Sequence, residues 1–288
     1  MDWKLSAVHF IGQKNRPLQP QRLRSTIAII LLISTHFIFL GVLLPAASNA
    51  QWFWMGLSGI VGLGIGDFGL FAAYVTIGPR RTLLIQASSP IFASLGAYAV
   101  FGETISPLST IGIAITLAGI AIVIFERRKT PEENLQARRR KTWGLLFGLV
   151  SAMGQGFGVV LSKIGMYEGV TTAMNPISAA LIRMLFAGAF VWACILVAGK
   201  LPEAQKAVSN RDGMKYAAAG AVVGPFLGMT LSMVAIANAG AGVAQTLMSL
   251  SPVFVIPAIW IVYKERTSRR GIIGAIVAIS GVAILFLA

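Results

Sequence analysis

Long apolar runs separated by short polar breaks fill the sequence from residue 18 to residue 287. Runs of about 20 apolar residues are long enough to cross the hydrocarbon core of a bilayer as helices. The breaks carry Gly, Pro or Asn, as at Gly78-Pro79 and Asn175-Pro176, and these residues favour turns and helix ends. The pattern predicts nine transmembrane helices, at about residues 18–46, 52–77, 82–101, 108–125, 143–166, 176–198, 215–238, 243–263 and 271–287.

One long charged segment, Glu126–Lys141, divides the chain into two copies of the same pattern. Matched residues in the two copies are 162 positions apart (252 − 90): Ser89-Pro90 with Ser251-Pro252, Glu103 with Glu265, and Gly119 with Gly281. Pro17 and Arg24 are matched by Pro176 and Arg183 at a spacing of 159 (183 − 24). The chain therefore divides into a first repeat (1–125), a basic linker (126–141) and a second repeat (142–288), an organisation typical of transporters.

The positions of Lys and Arg indicate how each repeat crosses the membrane. Basic residues occur in alternate loops, which can all lie on the cytoplasmic side. Arg80 and Arg81 correspond in the second repeat to Gly242 and Val243, whereas the loop 102–108, which has no Lys or Arg, corresponds to a loop containing Lys264 and Arg266. Because the basic residues lie in non-equivalent loops of the two repeats, the repeats are predicted to cross the membrane in opposite directions, as an inverted repeat. The same rule puts the C-terminus outside.

The two repeats differ at their beginnings. The second opens with the predicted helix 143–166, whose counterpart in the first would lie before residue 1. Two five-helix repeats would give ten helices, so the chain either lacks the first helix or begins late.

Composition supports a membrane protein and excludes several other classes. The chain is 56% hydrophobic and 12% charged, whereas soluble domains have about 25% charged residues. The net charge of +14 does not indicate a nucleic-acid partner, because the basic residues lie in short loops between apolar runs. We expect a multi-pass protein of the cytoplasmic membrane, with the lipid bilayer around it. The single cysteine, Cys194, excludes an intramolecular disulfide, and with only two histidines we expect no metal site.

Sequence motifs give no sign of an enzyme or of a cofactor. Gly64–Gly69 matches G-x-G-x-x-G, but it lies inside an apolar helix, so the glycines are interpreted as sites of close helix packing. The sequence has no P-loop, and no Ser-His-Asp set can be placed.

Polar side chains inside the predicted helices are the candidate substrate-binding residues, since an unpaired polar group in an apolar environment costs free energy. They are Arg183, Gln86, Gln155, Gln245, Ser89, Ser251 and Lys163. Alternatives remain for two of these types. Lys163 can extend to the outer surface, and the two Ser-Pro pairs, expected to kink their helices, are compatible with a purely packing role.

Two charged residues carry the most specific hypotheses. The guanidinium of Arg183 can donate two parallel hydrogen bonds to a carboxylate or phosphate of the substrate. Asp67 is the only carboxylate deep inside a predicted span, and we expect it to couple transport to an ion such as a proton. Either Arg24 or Arg183 is placed to pair with Asp67. The alternative is a fixed Asp–Arg pair that only locks helices together.

The sequence resembles the drug/metabolite transporter superfamily, specifically its EamA-type tandem transporters. The features that carry the resemblance are the repeated Ser-Pro pairs, Glu103 and Glu265 after the following helix, and the glycine spacing of Ile111–Ile122 and Ile273–Ile284. The resemblance implies a ten-helix fold and export or exchange of small metabolites, often amino acids, without ATP. We therefore predict a secondary transporter with a small-molecule substrate, and a homodimer is compatible with this. The alternatives are a lipid-carrier flippase of the same fold and a non-transporting membrane assembly subunit.

Overall fold

The computed structural model describes residues 18–103, 106–124, 135–169, 172–197, 218–250 and 269–287, and its regular elements in these ranges are all helices. They are α1 (Leu18–Leu40), α2 (Asn49–Ile77), α3 (Pro79–Gln86), α4 (Ser89–Phe101), α5 (Pro107–Ile124), α6 (Leu135–Tyr167), α7 (Pro176–Val197), α8 (Ala218–Asn238), α9 (Ala241–Met248) and α10 (Arg269–Leu287). In the described ranges, α2, α7, α8 and the Thr142–Tyr167 part of α6 are long and apolar enough to cross a membrane. The predicted all-α membrane fold is confirmed.

Several helix boundaries differ from the sequence prediction. Helix α1 ends at Leu40 rather than near residue 46, because Gly41 adopts a left-handed backbone with φ of 73°. Helix α6 begins at Leu135, inside the segment predicted as a linker.

The predicted helix 82–101 is broken into α3 and α4 by a turn at Ala87 and Ser88. The Ser89-Pro90 pair therefore begins α4 instead of lying inside a helix. Proline suits this place because it has no N–H to donate to a preceding turn. The matched helix α9 ends in the same way, with a turn at Ser249 and Leu250, and Ser251-Pro252 lies outside the described residues.

Two π-helical segments occur at matching positions of the two repeats. Gly59–Gly66 interrupts α2, and Val222–Gly228 interrupts α8. Their last residues are 162 positions apart (228 − 66). Segments of π-helix are rare in proteins, and those that do occur are often found at functional sites. The equivalence of the two segments shows that the repeat extends to backbone geometry.

The chain forms two compact units, and each contains residues from both repeats. The first unit comprises Met1–Phe71 with Leu161–Asn238, and the second comprises Ala72–Val160 with Ala239–Ala288.

In the first unit, α1 packs antiparallel against α7. The Trp192 indole N–H donates to Thr26 Oγ1 at 3.2 Å, and near the other end of α1 His36 Nε2 lies 3.0 Å from Ser178 Oγ. Residues later in α1 thus contact residues earlier in α7, as expected for antiparallel helices. Between these contacts, Ile29 packs on Gly188.

In the second unit, α5 and α10 make reciprocal contacts through two matched glycines. A Cβ on Gly119 would lie 2.3 Å from the backbone nitrogen of Ala278, and a Cβ on Gly281 would lie 2.5 Å from that of Thr116. Residues 116 and 278 are themselves matched (278 − 116 = 162). The same glycines also approach the Gly274 and Gly112 carbonyls, respectively.

Such reciprocal contacts define a two-fold relation, and the residue order makes the helices antiparallel. The axis is therefore perpendicular to the helices. A two-fold axis perpendicular to the helices is the relation predicted for the inverted repeat.

Candidate functional site

Three polar residues of the second unit, Gln245, Ser89 and Ser249, form a closed ring of hydrogen bonds beside the break between α3 and α4. Gln245 Nε2 donates to Ser89 Oγ at 2.8 Å. Ser89 Oγ lies 3.4 Å from Ser249 Oγ, and Ser249 Oγ donates to the backbone carbonyl of Gln245 at 2.9 Å. Gln245 is buried, and its Oε1 has no hydrogen-bond partner in the part of the chain that the structure describes. The ring thus contains one unsatisfied acceptor.

A second polar pair lies nearby in sequence, at the end of α3. The Ser151 hydroxyl of α6 donates to Gln86 Oε1 at 2.8 Å. The position on α6 facing Ser89 is Gly156, where a Cβ would lie 2.6 Å from the Ser89 carbonyl. This glycine lets α6 pack closely against the start of α4. Gln155, the residue before it, is half-buried.

The short helix α9 is capped from the first repeat. The Ala241 amide donates to Glu103 Oε2 at 3.3 Å. A carboxylate at a helix N-terminus is stabilised by the helix dipole and by the free amides there. Glu103 therefore helps to fix α9, and with it the position of Gln245.

In the first unit, Arg183 is buried where α7 crosses the π-helical segment of α2. Only 2% of its surface is exposed. A Cβ on Gly59 would lie 2.2 Å from the Arg183 carbonyl oxygen, so the two backbones approach as closely as only glycine permits. The Asp67 carboxylate, directly after the π-helical segment, interacts electrostatically with the Arg183 guanidinium. Arg183 Nε is buried without a hydrogen-bond partner among the described residues.

Arg24, the repeat counterpart of Arg183, packs on the π-helical segment of the other repeat. Its Nη2 donates to the Gly220 carbonyl at 3.2 Å, and a Cβ on Gly224 would lie 2.5 Å from the same nitrogen. Each arginine thus contacts the helix of the opposite repeat. The symmetry stops at Asp67, whose counterpart is Met229 (229 − 67 = 162).

Within the first unit, the end of α6 packs against α2 through a buried pair of serines. Ser58 Oγ and Ser162 Oγ lie 2.8 Å apart, next to Gly59. One turn further on, a Cβ on Gly165 would lie 2.8 Å from the Met55 side chain. Lys163, between these contacts, is half-buried.

The structure thus brings Gln245 and Ser89 together in the second unit, and places Arg183 with Asp67 in the first. Ser251 lies outside the described residues. Ser249 and Ser151 are polar partners that were not predicted from the sequence. Ser249 follows Gln245 by four residues, a spacing that places two side chains on one helix face. Among the described residues, no group of three or more His, Cys, Asp or Glu side chains can hold a metal ion.

Comparison with known proteins gives the same architecture. Residues 17–125 and 142–287 both match the EamA-like transporter family. The chain belongs to this family. It is accordingly a multi-pass membrane transporter of the drug/metabolite type. No curated protein matches the chain. One crystal structure, described only as that of a "protein", matches with a TM-score of 0.74 at 17% identity, covering 99% of this chain and 92% of that one. At this identity the likeness shows the fold alone.

Proposed function

We propose that this protein is a secondary active transporter that exports or exchanges a small metabolite, such as an amino acid, across the cytoplasmic membrane by alternating access. The observation that carries the proposal is the electrostatic interaction between the buried Arg183 guanidinium and the half-buried Asp67 carboxylate, both within helices that are long and apolar enough to span a membrane. A charge at such depth disfavours insertion by about 2.5–3.5 kcal/mol. A bundle that only supports other proteins needs no such residues.

Arg183 is proposed to bind an anionic group of the substrate. Its position is fixed by the close backbone approach at Gly59, and its Nε is a buried donor without a partner among the described residues. A guanidinium fork suits a carboxylate because two parallel hydrogen bonds form at once. Gln86, Gln155, Lys163, Ser89 and Ser251 are proposed to contribute further polar contacts.

Asp67 is proposed to bind the coupling proton. While Asp67 is ionised, it neutralises Arg183 and competes with an anionic substrate for the guanidinium. Protonation of the Asp67 carboxylate removes that competition, so substrate binding and proton binding favour each other. Because Met229 takes the matching place in the second repeat, one half of the protein alone would carry the proton.

Alternating access is supported by the inverted repeat, because two halves related by an axis in the membrane plane can exchange conformations to face either side. The broken α3–α4 segment and the two π-helical segments interrupt the regular helical backbone at matched positions, and such interruptions can change geometry more easily than a continuous helix.

The test is a substrate screen in proteoliposomes, run with and without an imposed pH gradient. We expect accumulation of at least one small metabolite that rises with the gradient, and exchange of that metabolite without it. Movement of a labelled lipid carrier in place of any metabolite would favour the flippase alternative. Absence of both activities in folded protein would contradict the proposed transport.

A further inference from the structure

The π-helical segment of α8, Val222–Gly228, contains a proline. In a π-helix the N–H of each residue donates to the carbonyl five positions earlier, and the Met229 N–H donates to the Gly224 carbonyl in this way (229 − 5 = 224). In the same register, residue 225 would donate to the Gly220 carbonyl (225 − 5 = 220). That residue is Pro225, which has no N–H to donate. The Gly220 carbonyl therefore receives no hydrogen bond from this position of its own helix.

A side chain of α1 takes the place of the missing N–H. Arg24 Nη2 donates to the Gly220 carbonyl at 3.2 Å, and both helices belong to the first unit. A carbonyl in a membrane-spanning helix needs a donor from the protein, because the hydrocarbon core has no water to supply one. Side chains of neighbouring helices are one means of satisfying the backbone groups that a proline leaves without a partner. The Arg24 guanidinium thus supplies the donor that Pro225 lacks.

Two glycines about one helical turn apart make room for this guanidinium. A Cβ on Gly220 would lie 3.4 Å from Arg24 Nε, and a Cβ on Gly224 would lie 2.5 Å from Arg24 Nη2. A side chain at residue 224 would therefore displace the nitrogen that donates. Arg24 Nε is itself buried, so the end of the side chain lies against α8 instead of extending to the membrane surface.

The first repeat has no need of such a donor at the matched position. Leu63 corresponds to Pro225 (225 − 162 = 63) and has a backbone N–H of its own. Arg183 corresponds to Arg24, and its guanidinium interacts with Asp67. The arginine that donates to the backbone is thus in the unit with the proline-containing segment, opposite the repeat position where proline is present. The matched arginine, opposite a segment without proline, has a different partner.

We propose that Arg24 is a positioning residue, whose guanidinium replaces the missing N–H of Pro225 and thereby holds the interrupted part of α8 in its π-helical geometry. This role does not depend on which molecule is transported, because it concerns a contact between α1 and α8 within the first unit. It also gives the two matched arginines different tasks. An arginine that only fills space, or that only extends toward lipid headgroups, would contribute equally whatever residue stands at position 225.

The experiment is a double-mutant cycle between residues 24 and 225, measured by thermal unfolding of the purified full-length protein in detergent. Arg24→Met keeps a long side chain and removes its donors. It should lower Tm by about 3–10 °C, the shift expected for the loss of a charged hydrogen bond to a buried carbonyl. Pro225→Ala restores a backbone N–H, so the helix can satisfy the Gly220 carbonyl itself. In the Pro225→Ala background, Arg24→Met should therefore lower Tm by less than about 2 °C.

Two further variants separate the hydrogen bond from general packing. Leu227→Ala lies in the same π-helical segment, at a side chain that is 46% exposed, and leaves the backbone donors unchanged. Arg24→Met should lower Tm by the same amount with and without Leu227→Ala, because independent sites are additive. Arg24→Lys keeps a donor and should lower Tm by less than half as much as Arg24→Met. A space-filling arginine would show neither the rescue by Pro225→Ala nor the rescue by lysine.

An effect of Arg24→Met that is equally large in the Pro225→Ala background would overturn the proposal, as would a wild-type Tm in Arg24→Met alone. An Arg24→Lys protein as unstable as Arg24→Met would also contradict a donor role. If Arg24→Met does not fold, the double variant decides. Recovery of monodisperse, cooperatively unfolding protein in Arg24→Met/Pro225→Ala supports replacement of the missing N–H, and failure of the double variant to fold overturns it.

Discussion

Ile29 and Gly188 occupy equivalent positions in the two repeats, and they pack directly against each other, with Ile29 Cδ1 2.6 Å from the place of a Cβ on Gly188. A residue that contacts its own counterpart lies at the two-fold axis. Arg24 and Arg183 are both five positions from this contact (29 − 24, 188 − 183). Because α1 and α7 are antiparallel, the two arginines lie on opposite sides of it, each about 7–8 Å away along its helix.

This symmetry makes the difference between the arginines informative. Both contact a π-helical segment of the opposite repeat, but Asp67 accompanies Arg183, and the matching place beside the other segment is Met229. A structural brace would be expected in both halves. The asymmetry is therefore the reason for testing Arg183 and Asp67 as functional residues.

Replacing Gly119 with alanine should destabilise the α5–α10 pair. Alanine normally stabilises a helix relative to glycine by about 1 kcal/mol. Here its Cβ would lie 2.3 Å from the Ala278 nitrogen, and overpacking costs about 1–3 kcal/mol. Thermal unfolding in detergent should show a lower Tm. Ala118→Leu, on the exposed face of α5, should leave Tm nearly unchanged, and a Gly119→Ala protein as stable as the wild type would contradict this packing.

Cysteine labelling should place matched loops on opposite sides of the membrane. In a Cys194→Ser background, Ser106→Cys and Ser268→Cys should react with an impermeant maleimide from opposite faces. Ser106 lies directly before the first residue of α5, and Ser268 lies outside the described residues. Thr130→Cys in the basic linker provides the cytoplasmic reference. Labelling of both test positions from one side would be incompatible with the inverted topology.

Arg183→Lys should raise the KM for an anionic substrate by about tenfold or more, because lysine keeps the charge but lacks the two-pronged donor geometry. Concentration-dependent uptake in proteoliposomes measures the effect. The repeat counterpart provides the control: Arg24→Lys keeps a donor for the Gly220 carbonyl and should change KM by less than about threefold. Wild-type kinetics in Arg183→Lys would argue against an anion-binding role.

Asp67→Asn should separate coupling from substrate movement. An amide of nearly the same shape cannot take up a proton at physiological pH, so accumulation driven by a pH gradient should disappear while exchange of substrate continues. Parallel gradient-driven and exchange assays make the comparison. Met229→Leu, at the matched position, should retain both activities. Full gradient-driven accumulation by Asp67→Asn would show that the carboxylate has only a structural role.

The hydrophobic pattern determined the helical class and the repeat, and the positions of Lys and Arg determined its inversion. These depend on the length of apolar runs and on the loops that contain Lys and Arg, which are local properties of the sequence. The same periodicity could not locate the interruptions. In the run of residues 82–101, scattered polar residues such as Gln86 and Ser89 lie between apolar stretches, so hydropathy does not distinguish one helix from the α3–α4 break at Ala87 and Ser88.

Only the tertiary structure decided which polar groups meet. The sequence singled out Gln245 and Ser89 as buried polar residues, but they are 156 positions apart, and their hydrogen bond depends on how α4 packs against α9. Likewise, the sequence left Asp67 with two candidate partners, and packing at Gly59 placed Arg183 beside it. Hydropathy reports the preference of a residue for lipid or water, whereas a side-chain partner is fixed by the distance between helices that are remote along the chain.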